Sequence, residues 1–146
     1  MRTKQLNLEQ KKHIKKLSAE LIDKVKSITT HLYNYKKGDV LIKEGEKQKY
    51  VYLIEKGEVI LIKTGLKNTV EIVNQKDGDL IGVDLIFNEH VSEYSAIAKK
   101  NTTFYRLLID DFKKIMLANS NLSLELMQYI NSLISSIENK NATASN

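Results

Sequence analysis

Three histidines, His13, His31 and His90, and no cysteine are all that the chain offers a transition metal as imidazole or thiolate. The histidines are scattered, with neither a His-x-His pair nor a His-Glu-x-x-His run, so no clustered-histidine metal centre is encoded. The missing thiols exclude disulfides, cysteine zinc sites and iron–sulfur clusters. His90 sits in a polar stretch and reads as an exposed loop histidine. No nucleophile stands beside a base in the sequence. The nearest approach to a phosphate loop, Gly78-Asp79-Leu80-Ile81-Gly82, lacks a lysine and carries an aspartate of the wrong charge. These patterns predict no enzyme, no metal and no cofactor.

Cations and aromatic rings are the other reactive surfaces. Only Arg2 and Arg106 carry the guanidinium that forks onto phosphate. The net charge of +5 is confined to the first thirty residues, which hold eight Lys/Arg against three Asp/Glu, while residues 31–146 hold fifteen of each. That basic stretch reads as a solvated helix face; a surface for phosphate or an acidic partner is the alternative. Tyr33, Tyr35, Tyr50, Tyr52, Tyr94, Tyr105 and Tyr129 are scattered and read as filler of half-buried strands rather than a base-stacking platform.

The elements that must position these groups follow from periodicity. A chain of 146 residues without proline, 42% hydrophobic and 28% charged, describes one domain with a core of its own. Its longest apolar runs are four residues, so no membrane span is encoded, and the basic N-terminus has no apolar stretch behind it to act as a signal peptide. A cytoplasmic protein, of a bacterial or similar cell, is expected. Residues 8–28 read as helix from the spacing of Ile14, Leu17, Leu21, Ile22 and Val25, with Ser18 able to cap a short helix that begins at Ala19.

From residue 31 the period changes. Short β-rich runs at 40–42, 51–54, 59–62, 70–73, 95–98 and 104–109 are separated by polar clusters, and all six glycines fall among them. Glycines at inter-strand points predict the successive turns of an antiparallel roll. Helix returns at Asp110 or Asp111, carrying Phe112, Ile115 and Met116 inward. After Asn119-Ser120-Asn121 a long helix of about eighteen residues, roughly 27 Å, is expected over 122–139. Along it Leu126, Ile130, Leu133 and Ile137 step by four, three and four, with Met127 and Ile134 seven apart beside them. This seam could pack on the chain's own roll; its heptad spacing favours a pair of helices from two copies.

Helix, glycine-punctuated roll, short helix and long heptad helix, in this order, resemble the N-terminal sensor half of Crp/Fnr-type transcription regulators, a cyclic-nucleotide-binding-like domain. The segments that carry the resemblance are 35–46 (Tyr35-Lys36-Lys37-Gly38-Asp39 onward), 51–59 and Asp77-Gly78-Asp79-Leu80-Ile81-Gly82. The implied fold is α+β: an antiparallel double-stranded β-helix, or jelly roll, flanked by N-terminal helices and a long C-terminal dimerisation helix. The implied organisation is a basic helical segment over 1–30, the roll over 31–109, a short helix plus the dimerisation helix over 110–140, and a disordered tail or hinge over 141–146.

The resemblance also implies a ligand cassette. Gly82, Val83, Asp84, Leu85, Tyr94, Ser95 and Ala96 are the pocket candidates. Nucleotide-binding members follow the glycine with a glutamate for the ribose and place an arginine before the Ser-Ala pair for the cyclic phosphate. Val83 and Tyr94 occupy those positions here. A desolvated phosphodiester requires such a charge-assisted clamp, so cyclic AMP or cyclic GMP is not expected to bind in the usual way. The cassette is closer to that of the Fnr and PrfA-like branch, although iron–sulfur sensing is excluded by the absent cysteines. An unknown small-molecule effector, or none, remains, and His90 is the candidate haem ligand that haem-sensing members would suggest.

Leu126, Met127, Ile130, Leu133, Ile134 and Ile137 are the expected homodimer contacts. DNA would be reached only through a winged helix-turn-helix, which residues 1–146 do not contain. The chain is thus expected to be the sensor and dimerisation part of a longer regulator; a stand-alone protein-interaction module is the alternative.

Overall fold

The computed structural model describes residues 15–29, 31–87 and 90–144. Among the described residues the first helix, α1, spans Ala19–Ile28 and begins where Ser18, in extended backbone, accepts the Leu21 N–H at 3.2 Å on its hydroxyl. Residues 15–18 have no regular structure, so the helix expected over 8–28 starts at Ala19, and its segment 8–14 lies outside the described residues. Leu21 and Val25, four apart on one face, are both fully buried. Lys26 reaches from the last turn to Glu55 at 2.8 Å and over the Tyr105 ring, which seats the helix on the sheet below.

Among the described residues eight strands follow: β1 (Leu32–Tyr35), β2 (Val40–Ile42), β3 (Tyr50–Lys56), β4 (Glu58–Thr64), β5 (Thr69–Lys76), β6 (Leu80–Ile81), β7 (Ser95–Ala98) and β8 (Thr102–Leu108). They form two four-stranded antiparallel sheets, ordered β1-β8-β3-β6 and β2-β7-β4-β5. The architecture is the expected α+β jelly roll. Residues 51–54 of β3 are buried on both faces, as their unbroken apolar run requires, whereas β4 alternates buried Val59 and Leu61 with half-buried Ile60 and Ile62. At the β3–β4 junction a single residue, Gly57 at φ +138°, turns the chain. A Cβ there would stand 2.7 Å from the Thr102 Cα, so only glycine lets β8 pass this close.

Two strands, β1 and β6, lie outside the expected runs. A 3-10 helix at Val83–Phe87 connects β6 toward β7 and is termed the cassette helix below. The helix α2 (Ile109–Ala118) starts directly from β8 and buries Ile109, Phe112 and Ile115. Asn119 alone separates it from α3 (Ser120–Ala144), whose 25 residues extend about 38 Å. The segment 141–144, expected as a disordered tail or hinge, continues α3, and residues 145–146 lie outside the described residues. No described helix is long and apolar enough to cross a membrane.

Candidate functional site

The pocket candidates converge on one place. Gly82, at φ +84°, turns β6 into the cassette helix with its Cα so close to the Tyr50 carbonyl and to Ile42 that a Cβ would meet both at 3.2 Å. Val83 and Leu85 then point inward, at 0% and 1% exposure, while Asp84 between them is partly buried. Across from them β7 supplies Ala96, fully buried, and Ser95, whose hydroxyl is occupied by the Glu44 N–H at 3.0 Å. Tyr94 precedes β7. Its backbone is fixed by Ser92, whose hydroxyl accepts the Tyr94 N–H at 3.2 Å and donates to the Tyr94 carbonyl at 2.6 Å.

The Tyr94 ring is 1% exposed, and its hydroxyl donates to Asp84 Oδ1 at 2.7 Å. The position at which the resemblance expects a phosphate-binding arginine is therefore filled by an inward-pointing phenol that ties β7 to the cassette helix. Loss of water pushes the Asp84 carboxyl up to about 6, opposed by the Tyr94 hydrogen bond and reinforced by the like charge of Glu93. Burial, with the adjacent Asp84 charge, pushes the Tyr94 phenol well above its ordinary range. The pair thus has donor and acceptor fixed, with no cation: none of the ion pairs among the described residues involves Asp84.

A second polar cluster, not anticipated from the sequence, joins the roll to α3. Tyr129, expected as strand filler, is a fully buried helical residue. Its hydroxyl accepts the Leu80 N–H and the Gln75 amide at 3.0 Å each and donates to the Leu80 carbonyl at 3.0 Å. Gln75 Nε2 also donates to the Leu80 carbonyl at 2.7 Å, and its own Oε1 is buried without a partner. Burial pushes the Tyr129 phenol up strongly, so it stays neutral. The only sequence signal was its place in the apolar stripe, three residues after Leu126 and four before Leu133.

The expected homodimer residues divide. Leu126, Ile130, Leu133 and Ile137 are at most 4% exposed and belong to the core of the single chain, packed mainly across β5 with contacts to β4 and the cassette helix. These four were expected at a contact between two copies, and here they cover the chain's own sheet: an apolar stripe that does so has the same spacing as one that covers a partner. Met127 stays 55% exposed, with Ile134 partly buried at the edge of the core. With exposed Leu124, also apolar, and with Asn131 and Glu138, these residues make a second seam, stepping by three and four along the outer side of α3.

Arg106 is engaged elsewhere. Its guanidinium lies between the rings of Tyr33 and Tyr50, 4.0 and 4.1 Å from their centroids, and Nη2 donates to the Tyr33 hydroxyl at 3.0 Å. His90 is partly buried at φ 67°, its carbonyl accepting the Gln48 N–H, while His31 packs edge-on against Tyr33. Among the described residues no three His, Cys, Asp or Glu side chains are grouped to hold a metal ion.

Comparison with known proteins places this geometry. Residues 32–119 match the cyclic nucleotide-binding domain family, and the chain belongs to it. A transcriptional regulator from Thermotoga maritima superposes with a TM-score of 0.69 at 16% identity, over 82% of this chain and 93% of that one. The catabolite activator protein of Thermus thermophilus gives 0.60 at 23% identity, over 88% and 57% of the two chains. A mutant regulatory subunit of a cAMP-independent protein kinase A from Trypanosoma brucei, bound to cAMP in its A site, gives 0.58 at 16% identity, over 94% and 47%. These likenesses are of fold. No curated protein sequence matches the chain.

Proposed function

We propose that the chain is the sensor and dimerisation domain of a Crp/Fnr-type transcription regulator whose pocket does not take cyclic AMP in the family's usual way. The observation that carries this is the buried Tyr94–Asp84 hydrogen bond, which puts a phenol and a carboxylate where a cyclic phosphate needs a cation. A domain of this fold that works without cyclic AMP has a parallel in the Trypanosoma brucei regulatory subunit, which is described as that of a cAMP-independent protein kinase A and of which a mutant is bound to cAMP. The domain acts without catalysis, in the cytoplasm, as a homodimer. A change in the cassette helix passes to α3, on which it packs, and resets the pairing of two long helices. DNA would be contacted through a winged helix-turn-helix carried by the same protein. Exposed Leu117, Leu124 and Met127 favour, as a second reading, a module that docks another protein through this end of the helices.

A thermal-shift series with cyclic AMP and cyclic GMP tests the pocket. A ligand at a hundredfold excess over Kd adds about 2.7 kcal/mol, or roughly 5–10 °C in a domain of this size. No rise is expected; a rise with either nucleotide would overturn this reading of Tyr94.

A further inference from the structure

We propose that the effector of this pocket is the proton, taken up by Asp84 within its hydrogen bond to Tyr94, and that the protonation state of this pair sets how the cassette helix packs on α3. This rests on the reading that the pocket does not take a cyclic nucleotide, and it names the ligand that the pocket does take.

The geometry supplies the parts. The walls of the cluster are packed, with Val83, Leu85, Tyr94 and Ala96 at 0–1% exposure, and a proton requires no cavity. The phenol is held far above its usual ionisation range, so of the two partners only the carboxyl titrates in the ordinary pH range. No lysine or arginine among the described residues is paired with that carboxyl. The groups that act on it are Tyr94 from the segment entering β7 and its own backbone N–H, both of which favour the charged form, and Glu93, a like charge that opposes it. From α3 the facing titratable group is Tyr129, a neutral phenol electrostatically coupled to both Asp84 and Asp79. From α2 the buried side is Ile109, Phe112 and Ile115, with its charged residues turned outward or only partly buried.

The Asp84 carboxylate is largely withdrawn from water and, among the described residues, has no counter-ion. With its carboxyl pushed up to about 6, it passes from about one-tenth ionised at pH 5 to about nine-tenths at pH 7. Neutral Asp84 keeps the cassette helix folded onto the roll; ionised Asp84 is relieved by moving toward water, and the cassette helix that carries it touches α3. The folded-state value lies above the unfolded one of about 3.9, so the native state loses stability as pH rises between the two, opposite to an ion-paired carboxylate.

The test is a carboxyl-carbon NMR titration of the full chain from pH 4 to 8, with the backbone amides of Val83–Phe87 and of Tyr129 followed in the same samples. The expected result is an Asp84 midpoint near 6, shared by the cassette helix and Tyr129 and abolished in both places by Asp84→Asn. Tyr94→Phe, which removes the hydrogen bond favouring the charged form, should move the midpoint upward and keeps the test available if Asp84→Asn does not fold. An Asp84 midpoint at about 4, or one near 6 that the Tyr129 amide does not follow, overturns the proposal and leaves the closed pocket standing. Stabilisation by cyclic AMP overturns instead the reading on which the proposal rests.

Discussion

Tyr129 closes three hydrogen bonds at the centre of a helix–sheet contact, and its hydroxyl serves both backbone groups of Leu80. Tyr129→Phe keeps the ring packing but strands the Leu80 N–H and half of the Gln75 amide. A buried donor left unpaired costs about 1–3 kcal/mol, so the variant should lose that much in urea denaturation. Unchanged stability would mean that water replaces the hydroxyl. At this scale the sequence was legible where family spacing fixed a position: Tyr94 stood out because an arginine belonged there. Its partner Asp84, ten residues earlier, did not stand out, because only the folded path of the chain from the cassette helix to the start of β7 brings the two within 2.7 Å. Tyr129 was hidden for a related reason. A tyrosine within an apolar stripe gives no sign of whether its hydroxyl meets solvent or a strand end across the core.

Among elements, the joint between α1 and α3 is held by one carboxylate. Glu125 of α3 accepts the Ser18 N–H at 2.6 Å and the Ser18 hydroxyl at 2.7 Å, while that hydroxyl caps α1. Ser18→Ala should cost about 1 kcal/mol through the lost cap. Because Ser18 and Glu125 share one network, Ser18→Ala and Glu125→Ala combined should cost less than the sum of the single changes, by 0.5 kcal/mol or more in a double-mutant cycle. Strict additivity would show that the contact carries no energy of its own. The main elements were readable because short apolar runs rich in β-branched and aromatic residues, such as 51–54 and 59–62, have few alternatives to a strand. β1 escaped because Leu32, Tyr33, Asn34 and Tyr35 alternate only weakly, and β6 because a strand of two residues has no period to detect. The stripe on α3 was visible from its spacing, but spacing cannot distinguish a chain's own sheet from a second copy as the surface that covers it.

For the whole molecule, the two sides of α3 separate stability from association. Leu133 is fully buried within the chain, so Leu133→Ala should destabilise it by about 2–5 kcal/mol. Met127 is 55% exposed, so Met127→Glu should leave the stability of one chain within about 0.5 kcal/mol while placing two like charges in the proposed seam. Sedimentation should then show a dimer for the parent chain and a monomer for Met127→Glu at equal concentration. An unchanged dimer would locate the pairing surface elsewhere.

The single residue between α2 and α3 has a mechanical consequence. Asn119 leaves no slack, so the two helices form a bell crank whose long arm is α3 and whose short arm is anchored in the core by Phe112 and Ile115. A small tilt at the elbow is magnified along the long arm: over about 38 Å, a swing of ten degrees would carry its far end roughly 7 Å.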